Sequence, residues 1–226
     1  MATSFASSVL FAGAGMRASG TSKQPAKPLE LYEFEGCPFC RKVRVALSEL
    51  DIDAMIYPCP KGGPRYRAFV KEHGGKAQFP FLIDPNTGKE MYESDDIVRY
   101  LATEYGTGKV PTPVALGPVS TVFSSLSSIP RGRSGSVYHA ARAPEQPLEL
   151  YSFEASPYCR IAREALCELE LPYMLHNVAK GSSRRDAFVK RSGKMMVPYL
   201  IDPNTHREMF ESADIVRYLE ETYALP

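Results

Sequence analysis

The sequence is an internal duplication, and this constrains the fold more than any other feature. Three segments of the first half recur in the second half: residues 28–34 as 147–153, 81–87 as 199–205, and 93–101 as 211–219. The offset is 119 residues at the start and 118 after one deletion, and more than half of the aligned positions are identical. The fold must therefore be one that a unit of about 80 residues completes and that occurs twice in the chain.

The duplication divides the chain into four parts. Module 1 covers residues 28–106 and module 2 covers residues 147–226. Residues 107–146, between them, are rich in Gly, Pro, Ser and Ala and contain no acid before Glu145, which is typical of a linker. Residues 1–27 precede the first copy, and we expect them to form a flexible segment.

The first 27 residues have an unusual charge pattern. They contain no acidic residue, Ser and Thr are frequent, and their charges are Arg17, Lys23 and Lys27. This composition is typical of an organellar transit peptide, which would direct the protein to the chloroplast. It is equally typical of a disordered tail on a cytoplasmic protein.

Composition excludes several classes of function. The net charge of +1 over 226 residues gives no electrostatic basis for binding nucleic acid. No run of 18 apolar residues occurs, so no membrane span is predicted. Five cysteines at irregular spacing argue against a secreted disulfide framework.

Each copy predicts the element order β-α-β-α-β-β-α. In module 1 the alternating and helical patterns predict strands over 29–34, 54–57, 81–83 and 89–92, and helices over 38–50, 65–73 and 94–104. Ser94 is expected to cap the last helix. A Cys-x-x-Cys after the first strand and a proline before the third are typical of the thioredoxin-like fold. The predicted fold class is therefore α/β, with two tandem thioredoxin-like modules.

Three motifs in module 1 resemble the glutathione-contacting segments of glutaredoxins and of glutathione transferase N-terminal domains. They are Cys37-Pro38-Phe39-Cys40-Arg41, Phe79-Pro80 and Glu93-Ser94. Module 2 repeats them as Ser156-Pro157-Tyr158-Cys159-Arg160, Val197-Pro198 and Glu211-Ser212. The tandem is most similar to plant and cyanobacterial proteins with two such domains. It lacks the all-helical C-terminal domain of true glutathione transferases.

The resemblance implies glutathione as co-substrate and protein disulfides or glutathionylated proteins as substrates. It implies Cys37 and Cys40 as catalytic residues and cis peptide bonds before Pro80 and Pro198. The glutathione-binding residues it implies are Phe39, Phe79, Pro80, Glu93, Ser94, Ser156, Tyr158, Val197, Pro198, Glu211 and Ser212. Ser94 and Ser212 would each begin a helix whose N–H groups bind the γ-glutamyl carboxylate.

The chemistry of the motif fits a redox role. A cysteine at a helix N-terminus is stabilised as thiolate by free N–H groups and the helix dipole, which favours Cys37. Cys40, one turn later, would resolve a mixed disulfide. The acids at Glu33 and Glu35 are expected to raise the pKa of Cys37. The basic residues of the following helix, Arg41, Lys42 and Arg44, are expected to be solvated.

Several alternatives stay open at this stage. A lone Cys-x-x-Cys also matches half a zinc site, but no second pair exists and the histidines are scattered, so no metal is expected. Glu-Ser before a helix is often only a cap. Ser156 replaces the nucleophile in module 2, which makes this copy either a serine-type site or a structural unit. Cys59 and Cys167 are interpreted as plain small residues.

The function predicted from the sequence is a glutathione-linked thiol–disulfide oxidoreductase centred on module 1. Module 2 would bind glutathione or a partner without redox turnover. One alternative is a non-catalytic binding or scaffold protein. The other is a glutathione transferase with a serine-type site in module 2.

Overall fold

The two sequence repeats fold into two matching α/β modules. The computed structural model describes residues 14–18, 23–112 and 134–226. Module 1 consists of β1 (Leu29–Glu33), α1 (Pro38–Glu49), β2 (Ala54–Pro58), α2 (Tyr66–Gly74), β3 (Phe81–Asp84), β4 (Lys89–Met91) and α3 (Ser94–Glu104). Module 2 consists of β5 (Leu148–Ser152), α4 (Pro157–Glu168), β6 (Tyr173–Asn177), α5 (Arg185–Ser192), β7 (Tyr199–Asp202), β8 (Arg207–Phe210) and α6 (Ser212–Tyr223).

The predicted order β-α-β-α-β-β-α is confirmed in both copies. Within each module the first two strands are parallel and the last two antiparallel, which is the thioredoxin-like arrangement. The described ranges contain no separate all-helical domain. They also contain no helix that is long and apolar enough to cross a membrane.

The modules share one sheet of eight strands in the order β4-β3-β1-β2-β6-β5-β7-β8. The joint is an antiparallel pairing of β2 with β6, in which Ile56 faces Tyr173 and Ala54 faces Leu175. Each module thus covers the second strand of the other, which would otherwise be an open edge. A single apolar core runs through both modules, with buried side chains such as Leu47 and Leu166.

Charged side chains of α1 and α4 meet the acids that precede these two helices, at the contact between the modules. We call these side chains the interface cluster: Glu33, Glu35, Arg41, Arg44, Glu154, Arg160, Arg163 and Glu164, all buried. The Arg44 Nε lies 3.0 Å from Glu154 Oε2, and the Arg163 Nε lies 3.0 Å from Glu35 Oε2. Since Arg163 is 119 residues after Arg44 and Glu154 is 119 after Glu35, these ion pairs are related by the repeat.

The prediction that the basic residues of α1 are solvated is therefore wrong. Arg41 and Arg44 belong to the interface cluster, and Lys42 is fully buried with its ammonium on the Asp95 carboxylate. The physical reason is that module 2 covers Arg41 and Arg44, while α3 of module 1 covers Lys42. Buried cations are tolerated only when carboxylates neutralise them, and the acids come from both modules.

The interface cluster perturbs its own acids in opposite directions. Burial raises the pKa of Glu33 to about 7, although Arg44 opposes this. Burial also acts on Glu154, but Arg163 and Arg44 outweigh it and lower the pKa of Glu154 to about 2. Glu33 thus titrates near neutral pH, whereas Glu154 is ionised there.

A second pair of matching contacts flanks the joint. Arg65 donates to the backbone carbonyl of Glu170 at 3.0 Å, and Arg184 donates to the carboxylate of Asp51 at 2.9 Å. Both acids have positive φ, 56° at Asp51 and 51° at Glu170. The repeat thus reproduces the backbone of the joint as well as its side chains.

Two short segments cross from one module to the other. Arm 1, residues 14–18, hydrogen-bonds to Lys180 of module 2 through the Met16 carbonyl at 2.9 Å. Arm 2, residues 134–138, hydrogen-bonds to Lys61 of module 1 through the Ser136 carbonyl at 2.7 Å. Because Lys180 is 119 residues after Lys61, the arms are equivalent. Each arm precedes one module and docks on the other.

The two arms lie inside the two segments that were predicted to flank module 1. Arm 1 lies inside the segment 1–27 that was expected to be flexible, and Ala14 is buried. Arm 2 lies inside the predicted linker 107–146. Residues 1–13, 19–22 and 113–133 lie outside the described residues, so the transit peptide and the central linker stay predictions.

The turn after the third strand is anchored identically in both modules by a buried aspartate that accepts several hydrogen bonds. The Asp84 carboxylate accepts from two tyrosine hydroxyls and an asparagine, and Asp202 does the same. The donors are Tyr100, Tyr105 and Asn86 in module 1, and Tyr218, Tyr223 and Asn204 in module 2. These hydrogen bonds outweigh burial and lower the pKa of both aspartates.

Candidate functional site

Cys37 lies at the N-cap of α1, as the sequence predicts. Its φ of −78° and ψ of 123° are extended, and its Sγ accepts a hydrogen bond from the Cys40 backbone N–H at 3.3 Å. Pro38 follows in the first turn, where its missing N–H costs nothing. Cys37 is 4% exposed and Cys40 is fully buried. Both sulfurs are thus buried, with that of Cys37 at the start of the helix and that of Cys40 one turn further in.

The two thiols have opposite pKa shifts. A hydrogen bond from the Cys40 thiol is the main cause that lowers the pKa of Cys37, and the N–H groups of Cys40 and Phe39 add to it. Burial raises the pKa of Cys40 well above its ordinary value. When the outer thiol has a lowered pKa and the inner thiol a raised one, the outer sulfur is the one that attacks first.

The two acids before Cys37, Glu33 and Glu35, have different effects on its pKa. Glu33 does tend to raise the pKa of Cys37, but the hydrogen bonds outweigh it. Glu35 is held by Arg163 of the interface cluster at 3.0 and 3.1 Å. The expectation that the acids raise the pKa of Cys37 and partly oppose the helix N-terminus is confirmed for Glu33, whereas Arg163 of module 2 neutralises Glu35.

The second motif segment lies beside the loop that carries Cys37. The Phe79–Pro80 peptide bond is cis, as the resemblance implies. The Phe79 ring makes an edge contact with Phe34 at 6.2 Å, and the Arg67 guanidinium lies over Phe79 at 4.7 Å. Arg67 is fixed by hydrogen bonds from its Nε to the Pro60 and Cys59 carbonyls. Phe39 is 48% exposed, at the surface of the first turn of α1.

The third segment, Glu93-Ser94, begins α3. Glu93 occupies the N-cap position and Ser94 is the first helical residue, so the prediction that Ser94 caps this helix is wrong. Glu93 has a φ of 65°, which non-glycine residues rarely adopt and which costs on the order of 1–3 kcal/mol. The neighbouring Asp95 binds Lys42 of α1, which ties this turn to the thiol helix.

A groove of about 660 Å³ opens next to Phe34. Module 1 and arm 2 form it together, and its lining residues are Phe34, Lys61, Gly62, Arg67, Ser136 and Val137. Two of these are cations, and neither makes an ion pair with an acid within the described ranges. The groove therefore favours a ligand that carries an anionic group.

Module 2 repeats the backbone of the site. Ser156 is the N-cap of α4 and accepts from the Cys159 N–H at 3.2 Å, and the Val197–Pro198 bond is cis. Glu211 has a φ of 66°, and Ser212 begins α6. Tyr158 is 44% exposed, like its counterpart in module 1.

The side chains of module 2 differ at three places that matter. Asp186 stands where module 1 has Arg67, and Val197 stands where module 1 has Phe79. The Lys42–Asp95 pair is replaced by Ile161 and Ala213. Burial raises the pKa of Cys159, as it does for Cys40.

Comparison with known proteins identifies the family. A family model for the glutathione S-transferase N-terminal domain matches residues 31–111 and 150–226, which is more than half of the chain. The chain belongs to the glutathione S-transferase N-terminal domain family. Membership implies glutathione binding, and the two matched ranges coincide with the two modules.

Other comparisons add little to this family assignment. A unique trimeric glutathione transferase from Leishmania, TDR1, is similar at 16% identity with a TM-score of 0.31, over 89% of this chain and 68% of that one. No match to a curated protein was found. In the described parts of this glutathione S-transferase N-terminal domain protein, no three His, Cys, Asp or Glu residues converge as for a metal ion.

Sequence analysis missed Lys61, Arg67 and arm 2 as parts of the site. The signal for Arg67 was available as a charge reversal to Asp186 within an otherwise matching segment. Arm 2 gave a weaker signal, because only Gly135 and Gly15 match between the arms.

Proposed function

We propose that the protein is a glutathione-linked thiol–disulfide oxidoreductase with its redox site in module 1. The observation that carries this proposal is the Cys37–Cys40 geometry, in which Cys37 caps α1 and accepts hydrogen bonds that lower its pKa. Cys40 stays protonated and buried next to it. A structural cysteine pair has no need for this division between an outer thiol of lowered pKa and an inner thiol of raised pKa.

The proposed reaction begins with the Cys37 thiolate. It attacks the glutathione sulfur of a glutathionylated protein, forms a Cys37–glutathione disulfide and releases the protein thiolate, which takes up a proton. A second glutathione thiolate then attacks the glutathione sulfur on Cys37, giving oxidised glutathione and free Cys37. Alternatively, Cys40 loses its proton and attacks Cys37, which releases glutathione and leaves a Cys37–Cys40 disulfide for two further glutathiones to reduce.

Glutathione has two carboxylates, and module 1 offers a place for each. The N-terminus of α3, beginning at Ser94, presents free N–H groups and the positive end of the helix dipole to one carboxylate. Lys61 and Arg67 offer positive charge to the other. The backbone at the cis Phe79–Pro80 bond would bind the peptide part of the ligand.

Module 2 is proposed as a copy without redox turnover. Ser156 cannot form a disulfide, and Asp186 repels the carboxylate that Arg67 would attract. Its contribution to module 1 is the arginines of the interface cluster, which neutralise Glu35 beside the active-site loop.

The test compares single cysteine variants of the full chain on a glutathionylated peptide. Cys37→Ser is expected to reduce the rate of deglutathionylation to the uncatalysed background. Cys40→Ser is expected to retain at least about a tenth of the activity, because external glutathione resolves the intermediate.

Cys159→Ser is the matched control. Cys159 occupies the position of Cys40 in module 2, so its loss should leave the rate unchanged. Equal rates for the wild type and Cys37→Ser would refute the redox proposal, and the non-catalytic binding protein would then be the better hypothesis.

One observation favours a second candidate, a serine-type glutathione transferase in module 2. The Ser156 Oγ accepts from the Cys159 N–H, which leaves its own hydroxyl proton available to stabilise a thiolate. Conjugation of glutathione to an electrophilic aryl halide would then fall with Ser156→Ala and persist in Cys37→Ser. The reverse pattern would eliminate this candidate.

A further inference from the structure

The arms differ from ordinary linkers because each is hydrogen-bonded to both modules. The Gly135 N–H donates to Glu168 of module 2 at 2.7 Å, while the Gly36 N–H of module 1 donates to the Gly135 carbonyl at 3.0 Å. Ser136 and Tyr138 then bracket Lys61 through two backbone hydrogen bonds of 2.7 and 3.0 Å. Arm 2 is thus docked by hydrogen bonds immediately before Cys37.

Arm 1 repeats this docking on module 2. The Gly15 N–H donates to Glu49 at 2.8 Å, and Met16 and Ala18 bracket Lys180 through hydrogen bonds of 2.9 and 2.8 Å. Glu168 is 119 residues after Glu49, so the same helix end holds each arm. Because the contact occurs in both copies, it is a feature of the duplicated fold.

The arms also approach the modules closely. Gly135 has a φ of 70°, and a Cβ at this position would come within 2.7 Å of the Glu35 Cβ. Gly15 has a φ of 77°, and its Cβ would come within 2.8 Å of the Glu154 Cβ. Only glycine satisfies both the left-handed backbone and the close approach.

We propose that arm 2 completes an anion-binding groove at the Cys37 site, so that module 1 takes one wall of its ligand site from the segment leading into module 2. The inference rests on the proposed function and adds the residues that select the ligand. Lys61 supplies the charge, and Ser136 and Val137 of arm 2 form the facing wall. The occupant is the carboxylate-bearing end of a thiol peptide.

Charge complementarity identifies this occupant. Lys61 and Arg67 are the cations of the groove, and none of its lining residues in the described part of the chain is an acid. Phe34 and Val137 supply apolar walls that suit a peptide chain better than a small inorganic anion. Phe34 lines the groove and its carbonyl accepts from the Cys37 N–H at 3.0 Å, which connects the groove to the loop that carries the reacting sulfur.

The experiment measures binding of S-methylglutathione, which cannot form a disulfide, to the full chain by calorimetry. A second ligand is its glycyl amide, which lacks one carboxylate. Two pairs of variants are compared: Ser136→Glu with Met16→Glu, and Lys61→Gln with Lys180→Gln. The second member of each pair makes the equivalent change at module 2.

We expect Ser136→Glu to weaken S-methylglutathione binding about three- to tenfold, since it sets a negative charge against the ligand carboxylate. Lys61→Gln should reduce the preference for the acid over the amide by a similar factor. Met16→Glu and Lys180→Gln should leave both affinities unchanged. Lys61 is exposed, so its replacement is compatible with folding even if Ser136→Glu is not.

Equal effects within each pair, or no effect of Lys61→Gln, would overturn the proposal. Absence of S-methylglutathione binding would overturn it as well. Failure of the redox function is a separate result, because Cys37→Ser changes turnover while it leaves the groove residues intact.

Discussion

Module 1 and module 2 have the same strands, the same cis prolines and the same strained residue before the last helix, yet their ligand-facing side chains differ. Module 1 has a thiol at Cys37 and a cation at Arg67, whereas module 2 has Ser156 and Asp186. The side chains that differ between the modules lie where a ligand would bind. The features that match are those of the backbone fold. A duplicated backbone therefore preserves the geometry of a site after its chemistry has changed.

The largest expected effect tests whether the nucleophile alone separates the modules. In a Cys37→Ser background, Ser156→Cys restores a Cys-x-x-Cys in module 2. We expect deglutathionylation to remain at least about tenfold below wild type, because Asp186 opposes the ligand carboxylate. Adding Asp186→Arg should then raise the rate.

The comparison fails if Ser156→Cys alone restores full activity, since the groove side chains would then be irrelevant to turnover. Steady-state rates on the same glutathionylated peptide decide this. Cys37→Ser without further change provides the baseline.

The next effect concerns a feature that the modules share. Asp84→Ala and Asp202→Ala each leave two buried tyrosine hydroxyls without their acceptor. We expect each substitution to lower the free energy of unfolding by about 2–4 kcal/mol. Urea unfolding monitored by circular dichroism measures both losses.

Thr87→Ala is the milder control, because its hydroxyl contacts Tyr100 while the Asp84 carboxylate stays in place. The loss from Asp84→Ala should exceed that from Thr87→Ala. If Asp84→Ala lowers stability far more than Asp202→Ala, the two turns are not equivalent and the symmetry stated above is incomplete.

The smallest expected effect lies at a position where the interface cluster is not symmetric. Glu33 is matched by Ser152, and the pKa of Glu33 is about 7 in the folded protein against an ordinary value near 4.5. Its stabilising contribution is full below pH 4.5 and is lost as the pH rises through 7. Wild type should therefore lose about 1–3 kcal/mol more stability than Glu33→Gln between pH 5 and pH 8.

Urea unfolding at both pH values measures this difference, with the exposed Glu221→Gln as control. Glu154 does not interfere, since its pKa of about 2 keeps it ionised throughout this range. If the free energy of unfolding changes equally with pH in wild type and Glu33→Gln, Glu33 carries no proton in the folded state in this pH range.

The sequence allowed most of each module to be predicted, because the information needed is local. Strand alternation, the proline in the first turn of α1 and the turn after Asp84 depend on neighbouring residues. The bounds of every element in module 1 agree with the prediction to within one residue. The thioredoxin-like order and the cap at Cys37 followed from these.

The contacts between modules were not predictable in the same way. Arg41, Lys42 and Arg44 have the charge that normally indicates an exposed helix face, but module 2 covers Arg41 and Arg44, and α3 of module 1 covers Lys42. Whether a charged helix face is buried or exposed depends on what packs against it, and the periodicity of the sequence carries no information about that partner. Arm 2 was interpreted as linker because its contacts are made by backbone groups rather than by a recognisable motif.

The antiparallel joint between β2 and β6 has a consequence for how this protein responds to dilution and to mutation. Two like units related by approximate twofold symmetry are what a homodimer contains, but here one polypeptide supplies both. The partnership is unimolecular, so its occupancy does not fall as the protein is diluted. A homodimer also receives every substitution twice, whereas this chain receives each one once. That is why one half can keep a thiol while the other holds a serine, with the pairing of the halves intact.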